Sequence, residues 1–368
     1  MHSDCFITAY DQGCLAVYFA VVGNMTNTQQ KVYCTYHQAP DHRFSGHPEA
    51  PIRTQGVRAW ISDPPYPEIT WLDFSPASEQ ECILVHRPDH LAFLKRESDK
   101  GSHQFETSPS YVTKSSYHDA MSAVGATLAV SRQIIFNGIG RGFAIVRPPG
   151  HHATSTESMG FCLLNNIAIA AADAVASGLK RVAIVDVDAH HGNGTEAVFW
   201  DTPEVGYLSI HESGIYPGSG QIESPRHARG RIINIPIPSF AGNKTYKQIT
   251  DQVIQPWLEK MAPEMLFVSA GYDGHFSDPL TTLTMSTRGY YQLVADLAQL
   301  ADHFCQGRVM FVLEGGYDPI ALMDNTQASL AALSGHQDFM DHYGHGLGDQ
   351  RDTQELINRV KEIHHLQE

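Results

Sequence analysis

Six short, uninterrupted apolar runs punctuate the chain, and each ends in a polar or glycine-rich turn. They are "KVYCTY" (31–36), "GFAIV" (142–146), "RVAIVDV" (181–187), "VGYLSI" (205–210), "EMLFVSA" (264–270) and "RVMFVL" (308–313). A strand with one wet face alternates apolar and polar residues. These runs do not alternate, so both of their faces must be covered. Helical patterns lie between them at 115–135, 165–178, 245–261 and 286–304, with Gly178 as a stop and Pro256 as a kink or break. The alternation predicts an α/β fold: a single domain whose central parallel sheet carries helices on both faces. In such sheets ligands bind beyond the carboxyl ends of the strands, so polar motifs that follow strands should converge on one rim.

Composition narrows the function. The 368 residues carry 25 Lys+Arg against 40 Asp+Glu, a formal charge of −15. That balance argues against a nucleic-acid partner, which needs a basic face. No apolar run reaches the roughly 18 residues of a membrane span. Cys5, Cys14, Cys34, Cys82, Cys162 and Cys305 show no CxxC spacing. Free thiols in a reducing, cytoplasmic compartment are expected. "CLAVYFAVVG" (14–23) resembles a short signal-peptide core, but Asp4 and Asp11 precede it and no Lys or Arg does. The expected division is an N-terminal extension (1–24), with Met25 as the natural start, a catalytic domain (25–335) and a polar C-terminal helix or tail (336–368).

The chemistry concentrates after the apolar runs. "DVDAHHGNGT" (186–195) crowds Asp186, Asp188, His190, His191 and Asn193 beside a buried strand. Side chains at i, i+2 and i+4 share one face of an extended chain. Asp188 and His190, joined by Asp273 of "SAGYDGHFSDP" (269–279), would give three metal ligands and leave a coordination position open. Taken singly, any of these is more readily a satisfied buried group. "VRPPGHHATSTESMGFC" (146–162) adds the tandem His151 and His152, which suit general acid–base work because imidazole titrates near neutrality. "LEGGYDP" (313–319) uses Gly315 and Gly316 for a tight turn that presents Tyr317, a phenol able to donate to an oxyanion.

Together these motifs, in the order "RPPGHH", "GFC…NN", "DVDAHHGNGT", "SIHESGIYPGSG", "SAGYD…DP" and "EGGY", resemble the zinc-dependent histone deacetylase superfamily over residues 31 to 335. The variants "HHGNGT" and "RPPGHH" look like its class II and bacterial acetylpolyamine-amidohydrolase branch. The resemblance implies one zinc per chain on Asp188, His190 and Asp273. It implies His152 as general base and then acid, His151 as its electrostatic partner oriented by Asp186, and Tyr317 as oxyanion donor. Asn193 stands where some members carry Asp, which predicts a lower pKa for His152 than in that branch. The resemblance further implies potassium at Asp186, Ser209 and Ile210, and a second potassium held by the carbonyls of Phe199, Thr202 and Val205. The substrate channel is expected at Gly160, Phe161, Tyr216, Leu280 and Gly315. Leu280 is neutral where polyamine-specialised members can carry an acid.

The substrate implied is an acetyl-lysine peptide or protein, with an acetylpolyamine or other small N-acetylated amine as the alternative; pairing into a homo-oligomer is compatible. Two rivals rank lower. An arginase-like enzyme holds two manganese ions and needs an SxDxD run, but the residue at its first Asp is Gly271 here. A non-catalytic binder of acetylated ligands would be expected to lack Tyr317 or a ligand, and all are present.

Overall fold

The computed structural model describes residues 31–105, 109–223, 228–346, 348–349 and 351–366. The expectations for residues 1–24 lie outside the described residues. Among the described residues ten strands follow one another: β1 (Val32–His37), β2 (Ile69–Trp71), β3 (His103–Gln104), β4 (Tyr111–Val112), β5 (Gly140–Val146), β6 (Val182–Asp186), β7 (Val205–Glu212), β8 (Ile232–Ile237), β9 (Met265–Ala270) and β10 (Arg308–Leu313). Eight form one sheet in the order β2-β1-β5-β10-β9-β6-β7-β8, and every pairing in it is parallel. β3 and β4 make a separate antiparallel pair.

The two faces of the sheet explain the uninterrupted runs. Along β6, Ala183 and Val185 point into one core with Trp257 and Leu297. Val182 and Ile184 point into the other, with Val124 and Ile167. Helices Gln255–Met261 and Thr287–Phe304 cover the first face; Ser116–Asn137 and Asn166–Ala176 cover the second. The central strands are therefore buried on both sides, which favours continuous apolar runs; the polar residues inside the sheet, such as Thr35, Ser209 and Asn234, are buried as well.

The expected strands and helices are present, with instructive differences. Gly178 follows Asn166–Ala176 at φ 105° and stops the helix. The 245–261 pattern splits into helix Asn243–Ile249, a wide π-turn Thr250–Ile254 and helix Gln255–Met261. Pro256 lacks an N–H and its ring crowds the preceding turn, which the wider turn relieves. Edge strands β2 and β8 carry weak sequence signals. β2 has three residues, and β8 contains Pro236, which only an edge strand accommodates easily. Beyond residue 335 parts of the described chain pack onto the domain. Tyr66 donates to the Asp338 carbonyl (2.5 Å), and helix Gln354–His364 buries Ile357 and Val360 in the core.

Gly125 marks the tightest approach in helix Ser116–Asn137. A Cβ there would sit 2.0 Å from the Ser75 carbonyl oxygen and 2.8 Å from the Ala77 nitrogen. Gly125→Ala gains about 1 kcal/mol of helix propensity. The overlap with a backbone that cannot rotate away is the larger effect, costing about 1–3 kcal/mol. The urea unfolding midpoint of Gly125→Ala is expected to fall; an unchanged or raised midpoint would show that the 75–77 loop yields freely.

Candidate active site

Every polar motif lies at the carboxyl end of the sheet. Asp186 is the last residue of β6, with Asp188 and His190 just beyond it. His151 and His152 follow β5, Asp273 follows β9, and Glu314 to Tyr317 follow β10. Asp186, Asp188, Asp273 and Glu314 are all essentially inaccessible to solvent. That many carboxylates are held out of water only with strong compensation.

Backbone amides supply part of it. Gly315 N–H donates to Asp188 Oδ2 (2.8 Å) and Ala189 N–H to Asp273 Oδ1 (2.9 Å). The remaining oxygens converge: Asp188 Oδ1 lies 3.2 Å and Asp273 Oδ2 2.8 Å from His190 Nδ1. One ligand atom from each of the three residues falls within 4.8 Å of the others. Burial disfavours charge on His190, yet the two carboxylates prevail and hold its pKa well above the usual imidazole range. Burial and the neighbouring Asp188 raise Asp273. A position between two carboxylates and an imidazole calls for a cation, and this donor set suits zinc. The floor is kept clear by glycines. A Cβ on Gly271 would lie 2.0 Å from Asp188 Oδ2, and one on Gly315 would lie 2.5 Å from Asp273 Oδ2. Gly315 thus serves the two carboxylates through its N–H and its missing side chain.

The histidine pair divides into two protonation states. His151 Nδ1 donates to Asp186 Oδ2 (3.1 Å), which also accepts from the Tyr207 hydroxyl (3.0 Å). Burial opposes charge on His151, but Asp188 and Asp186 outweigh it and raise its pKa to about 10. His152 Nδ1 lies 2.8 Å from Asn193 Oδ1. An amide oxygen only accepts, so Nδ1 carries the proton and Nε2 keeps a lone pair. Burial, cationic His151 and His190 hold His152 well below its ordinary 6.5. His191 is buried between Ser219 and Glu196, with no part in the site.

Tyr317 is held from three sides. Its backbone N–H donates to Asp278 Oδ2 (2.6 Å). The guanidinium of Arg53 lies 4.7 Å above its ring, and Phe161 meets it edge-on at 5.6 Å. Arg53 is buried and donates to the carbonyls of Gly316 (2.6 Å) and Glu314 (2.5 Å) and to Glu49 Oε1 (3.1 Å). Glu49 is shared with buried Arg147, whose Nε donates to it at 2.5 Å. Burial opposes ionisation of Glu49, but Arg147 prevails and lowers its pKa to about 2. The channel residues also gather here. A Cβ on Gly160 would come 2.3 Å from His152 Cδ2. Tyr216 stands edge-on to His152 at 5.1 Å, and Leu280 is exposed nearby on the loop that Asp278 anchors. Glu49, Arg53, Arg147 and Asp278 were not foreseen. Arg53 acts on residues more than 260 positions away, which no local spacing announces.

The expected potassium positions behave differently from each other. Ser209 pairs with Asp186 across β6 and β7. The carbonyls of Phe199, Thr202 and Val205 do converge, but around a side chain. Arg231 Nη1 donates to all three, at 2.7, 3.1 and 3.2 Å. The set expected to hold a second potassium is thus already engaged by a guanidinium, whose position in the sequence gave no hint of it.

The histone deacetylase domain family matches residues 47–333. The chain belongs to the histone deacetylase family. Histone deacetylase 14, chloroplastic, of Arabidopsis thaliana is 36% identical over 311 residues, covering 80% of this chain and 74% of that protein. A probable deacetylase of Archaeoglobus fulgidus is 34% identical over 271 residues, 73% of this chain and 75% of its own. The crystal structure of the HDA15 HD domain superposes with a TM-score of 0.81 at 28% identity, covering 91% of this chain and 94% of that one. This histone deacetylase homologue is accordingly a deacetylase, a hydrolase of a zinc-dependent family.

Proposed function

We propose that this deacetylase removes acetyl groups from acetyl-lysine side chains, using one zinc ion on Asp188, His190 and Asp273. The observation that carries the reading is the convergence of the two remaining carboxylate oxygens on His190, beside a His152 with a free Nε2. Zinc, when bound, supplies Lewis-acid polarisation of the acetamide carbonyl and lowers the pKa of water.

The chain's own groups do the rest. His152 Nε2 takes the proton of the attacking water and returns it to the leaving amine. His151 stays cationic against Asp186 and keeps His152 neutral at rest. Tyr317 donates its hydroxyl to the developing oxyanion, positioned by Arg53 and Asp278. Phe161 and Tyr216 line the channel for the lysine stem, and Leu280 stands at its mouth. Asp186, Ser209 and Ile210 provide a potassium position. All these groups lie within residues 25–335, the catalytic domain in this reading. A reducing cytoplasmic setting accords with the buried free thiols of Cys34, Cys82, Cys162 and Cys305.

One metal is favoured over two because the space at residue 271 cannot take a further carboxylate. A second cluster of His151, Cys162 and Glu314 is poorly suited to an ion. Glu314 Oε2 already accepts the N–H groups of Gly150 (2.6 Å) and His151 (3.1 Å), and burial pushes the Cys162 thiol well up. An acetyl-lysine substrate is favoured over an acetylpolyamine by the neutral Leu280.

Acetate release from an acetyl-lysine peptide is expected to outpace release from acetylspermidine. Tyr317→Phe should lower kcat by about 100- to 1000-fold, the usual effect of losing an oxyanion donor. Faster turnover of the polyamine would reverse the substrate assignment; near-normal turnover by Tyr317→Phe would remove the tyrosine from the mechanism.

A further inference from the structure

The cage around Arg231 departs from what the family resemblance implies. Phe199 closes helix Asn193–Phe199, and Thr202 and Val205 lead into β7. Their carbonyls point inward at one spot. Arg231 immediately precedes β8, and its own carbonyl accepts the Tyr207 N–H (2.9 Å), which fixes its backbone beside the cage. Nη1 then reaches three carbonyls, and Nη2 donates to the Trp200 carbonyl. A planar guanidinium that forks across four carbonyls satisfies them and neutralises their combined dipoles, the service a bound monovalent cation would perform.

We infer that Arg231 is a covalently attached replacement for the second potassium, so that this deacetylase takes up a single structural potassium, at Asp186 and Ser209. Thallium(I), a potassium probe with strong anomalous scattering, tests this in crystals of the full chain. No peak is expected inside the Phe199, Thr202 and Val205 cage of the wild type; a peak there overturns the inference. Arg231→Ala opens the cage. Its Tm is expected to rise several degrees more than the wild type's when tetramethylammonium is exchanged for potassium. An equal response of both proteins overturns the inference.

A separate observation concerns the channel mouth. Phe240 adopts φ 65°, a left-handed conformation that bulky side chains avoid, and the residue is 41% exposed. Its loop is clamped to the Leu280 loop. Phe240 N–H donates to the Thr282 carbonyl (3.3 Å), and buried Glu212 accepts from Ser239 Oγ (2.7 Å) and Thr282 N–H (2.9 Å). The fold thus holds two exposed apolar side chains, Phe240 and Leu280, on neighbouring rim loops. Backbone strain kept in place by surrounding hydrogen bonds, with an apolar ring left in water, points to a ligand contact.

Resting on the acetyl-lysine reading, we propose that Phe240 is a specificity-determining residue that contacts an apolar side chain next to the acetyl-lysine. With the acetamide at the channel floor, the peptide backbone lies across the rim, where flanking side chains meet these loops. Wild type should prefer peptides with Leu or Phe beside the acetyl-lysine over glycine-flanked ones by roughly 5- to 10-fold in kcat/KM, the value of a modest apolar contact. Phe240→Gly, and Phe240→Asn as a second variant that tolerates the left-handed region, should reduce that ratio to about 1–2, and Phe240→Leu should keep most of it. A ratio unchanged in the glycine and asparagine variants, or no preference in wild type, overturns the proposal alone. No turnover of any peptide by wild type, with turnover of acetylspermidine, overturns the acetyl-lysine reading and this proposal with it.

Discussion

Four carboxylates, Asp186, Asp188, Asp273 and Glu314, are shut away from water at the end of one parallel sheet. Their mutual repulsion and lost hydration must be compensated, and the surrounding structure supplies that compensation. Backbone N–H groups reach all four: Asp188 N–H donates to Asp186, Gly315 and His190 N–H to Asp188, Ala189 N–H to Asp273, and Gly150 and His151 N–H to Glu314. Asp186 is tied to His151 and Tyr207. Asp273 Oδ2 and Asp188 Oδ1, the latter also accepting the His190 backbone N–H (2.9 Å), face the same imidazole. The site is a residual demand for positive charge, and the parallel sheet is the frame that aims it: β6, β9 and β10 are adjacent and deliver their ends side by side.

The same electrostatics sets the division of labour in the tandem histidines. His151 sits over two carboxylates and stays protonated; His152 is left an amide partner, a cationic neighbour and a buried position. Burial and the cationic neighbour drive the second ring neutral, and the amide leaves Nε2 free. Two chemically identical side chains thereby shift in opposite pKa directions through their surroundings. Behind Tyr317, the buried Arg53–Glu49–Arg147 network ties the loop before residue 53 to the turn after β10, so the phenol depends on long-range contacts.

Much of this was legible in the sequence because the chemistry is local. Asp186, Asp188 and His190 share one strand exit, and the glycine-rich turns announce where Tyr317 and Gly160 must stand. The continuous apolar runs identify six of the eight strands of the parallel sheet, β1, β5, β6, β7, β9 and β10. What stayed hidden was either weak or distant. β2 is three residues long, and Pro236 disguises β8. Helix Pro319–Ser334 has almost no polar face, and so lacks the amphipathic contrast that marks a helix. Arg53 and Arg231 reach the site and the cage largely through backbone carbonyls distant in sequence, and carbonyls belong to every residue. Family likeness pointed to the carbonyls of Phe199, Thr202 and Val205 as a potassium set, but not to the arginine that engages them.

Zinc content is the most direct measure of the account. Wild-type protein, dialysed free of loose metal and assayed by native mass spectrometry, should carry one zinc per chain. The Asp188→Ala, Asp273→Ala double variant, if folded by circular dichroism, should carry none. Two ions per wild-type chain, or one zinc retained by the double variant, would contradict the claim that these two carboxylates and His190 hold a single catalytic metal.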